Sequence, residues 1–471
     1  MKPKATRGKI SATFDVVIIG AGSAGIAAVD GAKAAGAKSV CLIESEERLG
    51  GECAYWACVP TKSMLKAAKM YHLTKHGAGR YGIQAAKVTY DFSAIMKRRD
   101  AVVKVLTGNG KRLVEYVKHE KVTVKYGPAH FIAQNVVDVK GERVRGKAFV
   151  IATGSRDKLP VLSGLEDTPF WRSRDVVSMK SLPASVAILG GGPVGTEFAT
   201  LFGLLGVKTT LIEYGEHILP REDGEIAALA ETHLREQGVQ VYTKTKALGV
   251  KKSGHRVQLT FQVGKQPRKT ISIEKLVVAV GRQPNIDTMS LDRAGVRLND
   301  KGKLEVSARL ETNQTHIFAA GDVTSALLFT HTASHEGYIA GWNAAKIKTD
   351  GKKYVREERV VPRITFVDPE IASVGITVAE AAKLKKKVKI HRSPFSVLGR
   401  AAIDGNRDGL LKVITDAKSG QILGAHVVGE RAGEIMHELA LAMYAGIPFV
   451  TVQSMLHAYP GWSECIPAAK T

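Results

Sequence analysis

Two stretches of the chain repeat one pattern of apolar and small positions. Residues 14–19 (FDVVII) are a short β-branched apolar run leading directly into Gly20-Ala21-Gly22-Ser23-Ala24-Gly25, after which the sequence turns alanine-rich. A short apolar run closed by glycines predicts a buried strand, and the alanine-rich continuation predicts a helix. A second apolar run, 40–43, ends on Glu44, 24 positions after Gly20. The pattern returns at 185–189, passes through Gly190-Gly191-Gly192-Pro193-Val194-Gly195, and predicts a helix over 196–205. A strand over 209–212 then ends at Glu213, 23 positions after Gly190.

Strand, glycine turn, helix and a later acid make up a dinucleotide-binding fingerprint. Glycines let the backbone approach a pyrophosphate, the helix N-terminus offers unpaired N–H groups, and the acid accepts from ribose hydroxyls. One such loop is weak evidence, because close helix-on-strand packing also selects glycine. Two loops in full context imply two dinucleotide sites. Beyond about residue 355 the pattern changes to strand-like stretches at 364–366, 410–414 and 422–428, followed by a helix over 433–445. This predicts a separate α+β domain with no phosphate loop, whose apolar face serves assembly between subunits.

Composition narrows the class. At 471 residues the chain is long enough for about three domains. Hydrophobic residues make up 44% and no run approaches the roughly 20 apolar positions of a membrane span, so a soluble protein without a transmembrane segment is expected. The basic segment 1–13 lacks the apolar centre of a secretory signal, which points to a cytoplasmic location. The net charge of +23 favours encounters with nucleic acid or anionic surfaces, but its residues are dispersed. The densest cluster, 383–389, carries no aromatic-interleaved or zinc-finger pattern, so a solvated basic surface is favoured over nucleic-acid binding. Four cysteines exclude a disulfide-stapled scaffold, and no metal-ligand spacing is present.

Two of those cysteines lie five positions apart in Gly50-Gly51-Glu52-Cys53-Ala54-Tyr55-Trp56-Ala57-Cys58-Val59-Pro60-Thr61-Lys62. On a regular helix such a pair is too far apart and misdirected to bond, so a redox pair here requires a distorted turn at a helix start. Pro60 suits the first turn of the following helix. A thiolate there gains from the helix dipole and from a nearby cation, for which Lys62 is the candidate. Unbonded core cysteines or half of a zinc site remain as the other readings, although no second Cys/His pair accompanies them.

With Ala152-Thr153-Gly154, Gly281-Arg282-Gln283-Pro284-Asn285 and the segment 317–323 (IFAAGDV), these motifs resemble the class I pyridine nucleotide–disulfide oxidoreductases, the family of dihydrolipoamide dehydrogenase, glutathione reductase and mercuric reductase. The resemblance covers nearly the whole chain. It implies an α/β fold with two Rossmann-like domains, FAD-binding (1–160 and 285–355) and NAD(P)-binding (161–284), plus a C-terminal α+β dimerisation domain (356–471). FAD would be held by Gly20, Gly22, Ser23, Gly25, Glu44, Gly51, Thr153 and Gly154, with Gly321 and Asp322 on the ribityl side. The second dinucleotide would be held by Gly190, Gly192, Gly195 and Glu213, and Gly281 and Arg282 are further cofactor-binding positions. Lys62 and Glu197 would pair near the flavin, Cys58 would face the flavin, and Cys53 would meet the substrate. Electrons would pass from NADH through FAD to the Cys53–Cys58 disulfide. Glu213 favours a free 2′-hydroxyl and hence NADH, while Arg221 nearby leaves NADPH use open.

The C-terminal segment departs from the family pattern. Thiol-reducing members carry a His-Pro with a Glu five positions after the His, supplied by the other subunit of a homodimer as an acid/base pair. Here Tyr459 takes the histidine's place before Pro460, and Glu464 keeps its spacing. A tyrosine is a poor base near neutral pH. His457 lies two residues earlier and, in an extended segment, shares a face with Tyr459 at a displacement of several ångströms. Mercuric reductases also carry a tyrosine there but end in a vicinal cysteine pair, whereas Cys465 is followed by Ile-Pro-Ala-Ala-Lys-Thr. Cys465 is a conceivable third thiol, and Cys41 reads as a buried hydrophobe. The acceptor therefore stays open among a small-molecule or protein disulfide, a metal ion and a quinone. The other activities weighed are a mercuric-reductase-like metal reductase, an NADH diaphorase or quinone reductase, and a non-catalytic flavoprotein that binds nucleic acid or another partner.

Overall fold

The computed structural model describes residues 10–84, 86–300, 302–324, 327–347 and 351–471, so positions 1–9 of the basic N-terminal segment lie outside the described residues. The chain divides into two compact units. One comprises Met1–Pro60, Asp100–Asp157 and Arg282–Glu357; the other comprises Thr61–Arg99, Lys158–Gly281 and Glu358–Thr471.

The first unit is built on a sheet whose parallel strands run in the order Thr123–Tyr126, Val40–Glu44, Ile10–Ile19, Glu142–Ile151. Ile317–Ala319 pairs in parallel with the end of Glu142–Ile151, and the hairpin Ala129–Ala133/Val136–Val139 pairs antiparallel with its beginning. Val16, Val17 and Ile18 are fully buried because both faces of the sheet are covered, which is why the sequence shows an unbroken apolar run there. The strand begins at Ile10, earlier than its apolar run, because positions 10–13 alternate in exposure and carry no such run. Helices Ser23–Ala34 and Thr330–Ala345 meet backbone to backbone. A Cβ on Gly31, Gly337 or Gly341 would stand 2.0–2.1 Å from a carbonyl oxygen of the facing helix.

The second unit holds the other repeat: a parallel sheet in the order Gln240–Tyr242, Lys208–Ile212, Ser185–Leu189, Lys275–Val278, followed on the glycine loop by helix Pro193–Leu204. The helix starts three residues before the predicted 196 because Pro193, with its fixed φ and missing N–H, occupies the first helical turn. A three-stranded antiparallel sheet, Thr245–Ser253, Arg256–Val263 and Lys269–Ile273, lies in the same unit. So does a five-stranded antiparallel sheet in the order Arg363–Thr365, Ile371–Gly375, Ile422–Val428, Leu410–Asp416, Val388–Pro394. Helix Ala432–Ala445 buries Ile435, Met436 and Leu439 against that last sheet and leaves Leu441 and Tyr444 exposed. Among the described residues no helix is long and apolar enough to cross a membrane.

Candidate active site

Each glycine loop is fixed by backbone contacts that only glycine permits. Gly20 has φ +104°, and a Cβ there would lie 2.3 Å from Ala152 O. A Cβ on Gly25 would lie 1.8 Å from Gly20 O. Gly22 caps helix Ser23–Ala34, so the unpaired N–H groups of its first turn open at the loop. In the second loop Gly190 has φ +103° with Ala279 O 2.4 Å from its would-be Cβ, Gly195 would meet Gly190 O at 1.9 Å, and Gly192 is the cap.

The two acids close these loops. Glu44 Oε2 accepts from Ala21 N at 2.8 Å, and its Oε1 accepts from Glu46 N at 2.9 Å and from Ser45 Oγ at 3.2 Å. Glu213 Oε2 and Oε1 accept from Gly191 N and Gly215 N, both at 2.6 Å. A carboxylate has about four acceptor sites, so each acid keeps capacity for a ribose hydroxyl.

The residues around the first loop fit an FAD. Thr153 Oγ1 is buried with no hydrogen-bond partner among the described residues, and Gly154 has φ +66° with open space where a Cβ would stand. Asn285 holds this turn, its Nδ2 donating to Thr153 O and its N to Gly154 O, both at 3.0 Å. Asp322 Oδ2 accepts from Ser155 Oγ at 2.6 Å. Gly321, at φ +79°, donates its N–H to Glu336 Oε2 at 2.6 Å, and Glu336 is 1% exposed. Arg282 directs its guanidinium to Ser155 Oγ at 2.7 Å, Ser155 O at 2.6 Å and Asp157 Oδ1 at 3.1 Å, and so ties the strand pair Ser155–Asp157/Arg282–Pro284 together. Gly281, at φ +118°, accepts from Lys158 N at 2.9 Å.

The cysteine segment has the break its spacing demands. Cys53 lies in the short helix Gly51–Tyr55, the chain leaves helical geometry at Trp56, and Cys58 opens helix Cys58–His72. Both cysteines are partly buried. Cys58 is placed where its own helix dipole favours a thiolate. Its Sγ lies 3.5 Å from the hydroxyl of Thr330, the first residue of helix Thr330–Ala345. Gly51, at φ +63°, would push a Cβ to 2.7 Å from Gly22 Cα, so the cysteine segment starts directly against the first loop.

Lys62 follows one turn after Cys58 on the same helix and is not a lone cation. Its Nζ donates to both oxygens of Glu197, at 2.7 and 2.9 Å. Glu197 sits one turn into helix Pro193–Leu204 and also accepts from Phe366 N at 3.1 Å. The Phe366 ring lies 4.8 Å from Lys62 Nζ. Lys62 and Glu197 thus form the ion pair that the resemblance implied.

In the C-terminal segment, Tyr459 is 76% exposed, and its ring lies over Gly399, where a Cβ would meet Oη at 2.8 Å. Glu464 Oε2 accepts from Gly461 N at 2.9 Å, which caps the short helix Trp462–Cys465. His457 does not share Tyr459's surroundings, as an extended segment implied. Its side chain is 4% exposed, with Nε2 2.9 Å from Glu438 Oε1 and Nδ1 2.9 Å from Met455 O. Cys465 is fully buried, and burial pushes its thiol far above the ordinary range, which overturns the third-thiol reading. Burial likewise pushes Cys41 up to about 12, as a small core hydrophobe requires.

Thr330, Glu336, Ser155, Phe366 and Glu438 were not legible as site residues. Each earns its place through a partner distant in sequence, and none carries a local motif.

Comparison with known proteins bears on the whole chain. Residues 14–337 match the family described as "Pyridine nucleotide-disulphide oxidoreductase", and residues 361–470 match its dimerisation domain. The dihydrolipoyl dehydrogenase of Thermus scotoductus is 36% identical over 455 residues, covering 96% of this chain and 95% of that protein. A dihydrolipoyl dehydrogenase of Bacillus subtilis is 33% identical over 472 residues, with 97% of each chain covered. Among solved structures, the Cu(II) complex of the HOCl-induced flavoprotein disulfide reductase RclA from Escherichia coli superposes with TM-score 0.84 at 29% identity, covering 97% of this chain and 98% of that one.

Proposed function

This chain belongs to the pyridine nucleotide-disulphide oxidoreductase family, and from that premise we propose that Cys53 and Cys58 are its redox pair, with Cys53 the thiol that meets the acceptor. The protein is an FAD-dependent enzyme that oxidises a pyridine nucleotide. A bound FAD would supply the hydride and electron-pair chemistry that links the nicotinamide to a disulfide. Gly20, Gly22, Ser23, Gly25, Glu44, Gly51, Thr153, Gly154, Gly321 and Asp322 would hold the FAD. Gly190, Gly192, Gly195 and Glu213 would hold the nucleotide, with NADH preferred because the Glu213 carboxylate repels a 2′-phosphate. Arg282 supports the site by tying Ser155, the partner of Asp322.

For a disulfide acceptor the exchange balances on the chain's own atoms. Cys53 thiolate attacks one acceptor sulfur, the acceptor S–S bond breaks, and one thiolate leaves to take a proton from solvent. Cys58 thiolate then attacks the Cys53 sulfur, releases the second thiolate and restores Cys53–Cys58. Lys62 and Glu197 act as a neutral pair that fixes helix Cys58–His72.

The domain division 1–160 with 285–355, 161–284 and 356–471 is part of this reading, supported by a main sheet in each, although the strand pair Ser155–Asp157/Arg282–Pro284 joins 282–284 to the first. A homodimer is supported by the dimerisation-domain match and by the exposed Leu441, Tyr444 and Val450. A cytoplasmic location suits a working dithiol.

The observation that carries the proposal is the helix break between Cys53 and Cys58. The test is NADH-dependent reduction of an aromatic disulfide such as dithiobis(nitrobenzoate). Cys53→Ser and Cys58→Ser should each lose roughly 100-fold or more, since each removes a nucleophile. Undiminished rates in both would reject the pair.

A soft metal ion is a second acceptor reading, favoured by the engagement of His457 with Glu438 and of Glu464 with Gly461 N–H. Neither group is poised as a base for a dithiol, and a thiolate-binding metal ion needs none. The similar E. coli flavoprotein disulfide reductase forms a complex with Cu(II). This reading expects Cu(II) to stimulate NADH oxidation more than lipoamide does, and Tyr459→His to raise the lipoamide rate. A wild-type lipoamide rate above the Cu(II) rate removes it.

A further inference from the structure

A polar row crosses the five-stranded sheet from edge to edge. Strand register places Arg363 opposite Ser373, Ser373 opposite His426, His426 opposite Lys412, and Lys412 opposite Arg392. Directly paired residues project from the same face, so these five side chains share one side of the sheet. That face meets three acids at the start of helix Gly224–Glu236. Lys412 Nζ lies 2.6 Å from Asp223 Oδ1 and 2.9 Å from Glu225 Oε2. Arg392 Nε lies 3.1 Å from Glu225, and Arg363 Nε 3.5 Å from Glu222. Lys412 and Asp223 are almost fully buried.

The acids terminate the segment that closes the second glycine loop. Gly191 donates its N–H to Glu213 Oε2 at 2.6 Å, and Gly191 O accepts from Leu219 N at 2.7 Å. Both backbone groups of Gly191 are therefore held by residues 213–219. Leu219 is itself tied to Glu222, whose N donates to Leu219 O at 2.8 Å. Asp223 also caps the helix, accepting from Glu225 N at 3.1 Å, and takes Val378 N at 3.3 Å. A buried ion pair holds one geometry only while both partners stay, because either charge alone is left desolvated.

We infer that Lys412, with Arg392 beside it and Arg363 at the far edge of the same row, is a positioning residue for nicotinamide-dinucleotide binding: it acts through Asp223 and the 213–223 segment to set the backbone of Gly191. The inference rests on the reading that the second glycine loop holds NADH. It assigns the C-terminal sheet a part in nucleotide affinity in addition to assembly.

The test measures the NADH dissociation constant, KM, kcat and FAD content of the holoenzyme. Lys412→Met should raise Kd and KM for NADH about tenfold while kcat and FAD content stay within about twofold, and Lys412→Arg should recover most of the loss. Asp223→Asn, which keeps the helix cap and removes the charge, should shift Kd in the same direction. A folded Lys412→Met or Asp223→Asn with wild-type NADH affinity overturns the inference, even if its melting temperature falls. Should both fail to fold, Arg392→Met and Glu225→Gln at the exposed end of the row decide: a rise of about threefold in Kd supports the inference and no change overturns it. Gly192→Val separates the underlying reading, because Gly192 has nothing within 4 Å of its Cβ position and the substitution fills only the open face. Unchanged NADH affinity in Gly192→Val rejects the second loop as the nucleotide site. Lost affinity there with normal affinity in Lys412→Met rejects the role of Lys412 alone.

Discussion

At the first glycine loop Ala21 donates to Glu44, and its carbonyl accepts from Gly50 N at 2.9 Å; at the second, Gly191 donates to Glu213, and its carbonyl accepts from Leu219 N at 2.7 Å. Gly50 and Leu219 each fall six positions after their acid and each has positive φ, +124° and +51°. The closing segments then diverge. After Gly50 the chain turns straight into Gly51, whose backbone packs on Gly22, and on to Cys53 and Cys58. After Leu219 it turns away to Glu222 and Asp223 and their ion pairs with the C-terminal sheet, leaving Gly192 open. One repeated unit thus serves two tasks. The loop roofed by its own cysteine segment suits a resident cofactor, and the loop with an open face suits a nucleotide that exchanges at every turnover.

The largest expected effect breaks the comparison at its shared element. Gly25→Val and Gly195→Val both drive a side chain into a carbonyl, at a cost of about 3 kcal/mol or more. The first should yield protein without FAD, seen as loss of flavin absorbance. The second should retain FAD and lose NADH turnover. Next, Gly51→Ala should lower holoenzyme stability by about 1–2 kcal/mol, because its φ is left-handed and its Cβ meets Gly22; Gly192→Ala should leave the melting temperature unchanged. Glu213→Ala should narrow the NADH-over-NADPH ratio of kcat/KM by about tenfold, whereas Glu44→Ala should leave that ratio alone.

The smallest effect is in acid. Burial raises the Asp223 and Glu225 carboxyls, but bonds from Lys412 to both and from Arg392 to Glu225 outweigh it and leave their pKa values below 3.8 and 4.5. A depressed folded pKa contributes stability that is complete above the unfolded value and is lost as pH falls through the folded one. Lys412→Met should therefore unfold at higher pH than wild type in an acid titration followed by circular dichroism.

The glycine loops were legible because backbone approach leaves glycine at fixed spacing, and the broken helix because five-residue cysteine spacing fits no regular one. Thr330 lies 272 residues from Cys58, and no local pattern marks it. His457 was read beside Tyr459 because an extended segment alternates faces; a carboxylate from helix Ala432–Ala445 turned it inward instead. Cys465 was open to a redox role because sequence does not report that a terminal residue is sealed in the core.

Anaerobic titration of the holoenzyme with NADH tests the division between resident cofactor and redox segment most directly. Wild type should take up roughly four electrons per FAD, two for the flavin and two for the disulfide, and Cys53→Ser should stop at about two. Saturation of wild type at about two electrons, indifferent to Cys53, would contradict the relay and leave a flavin that reduces its acceptor directly.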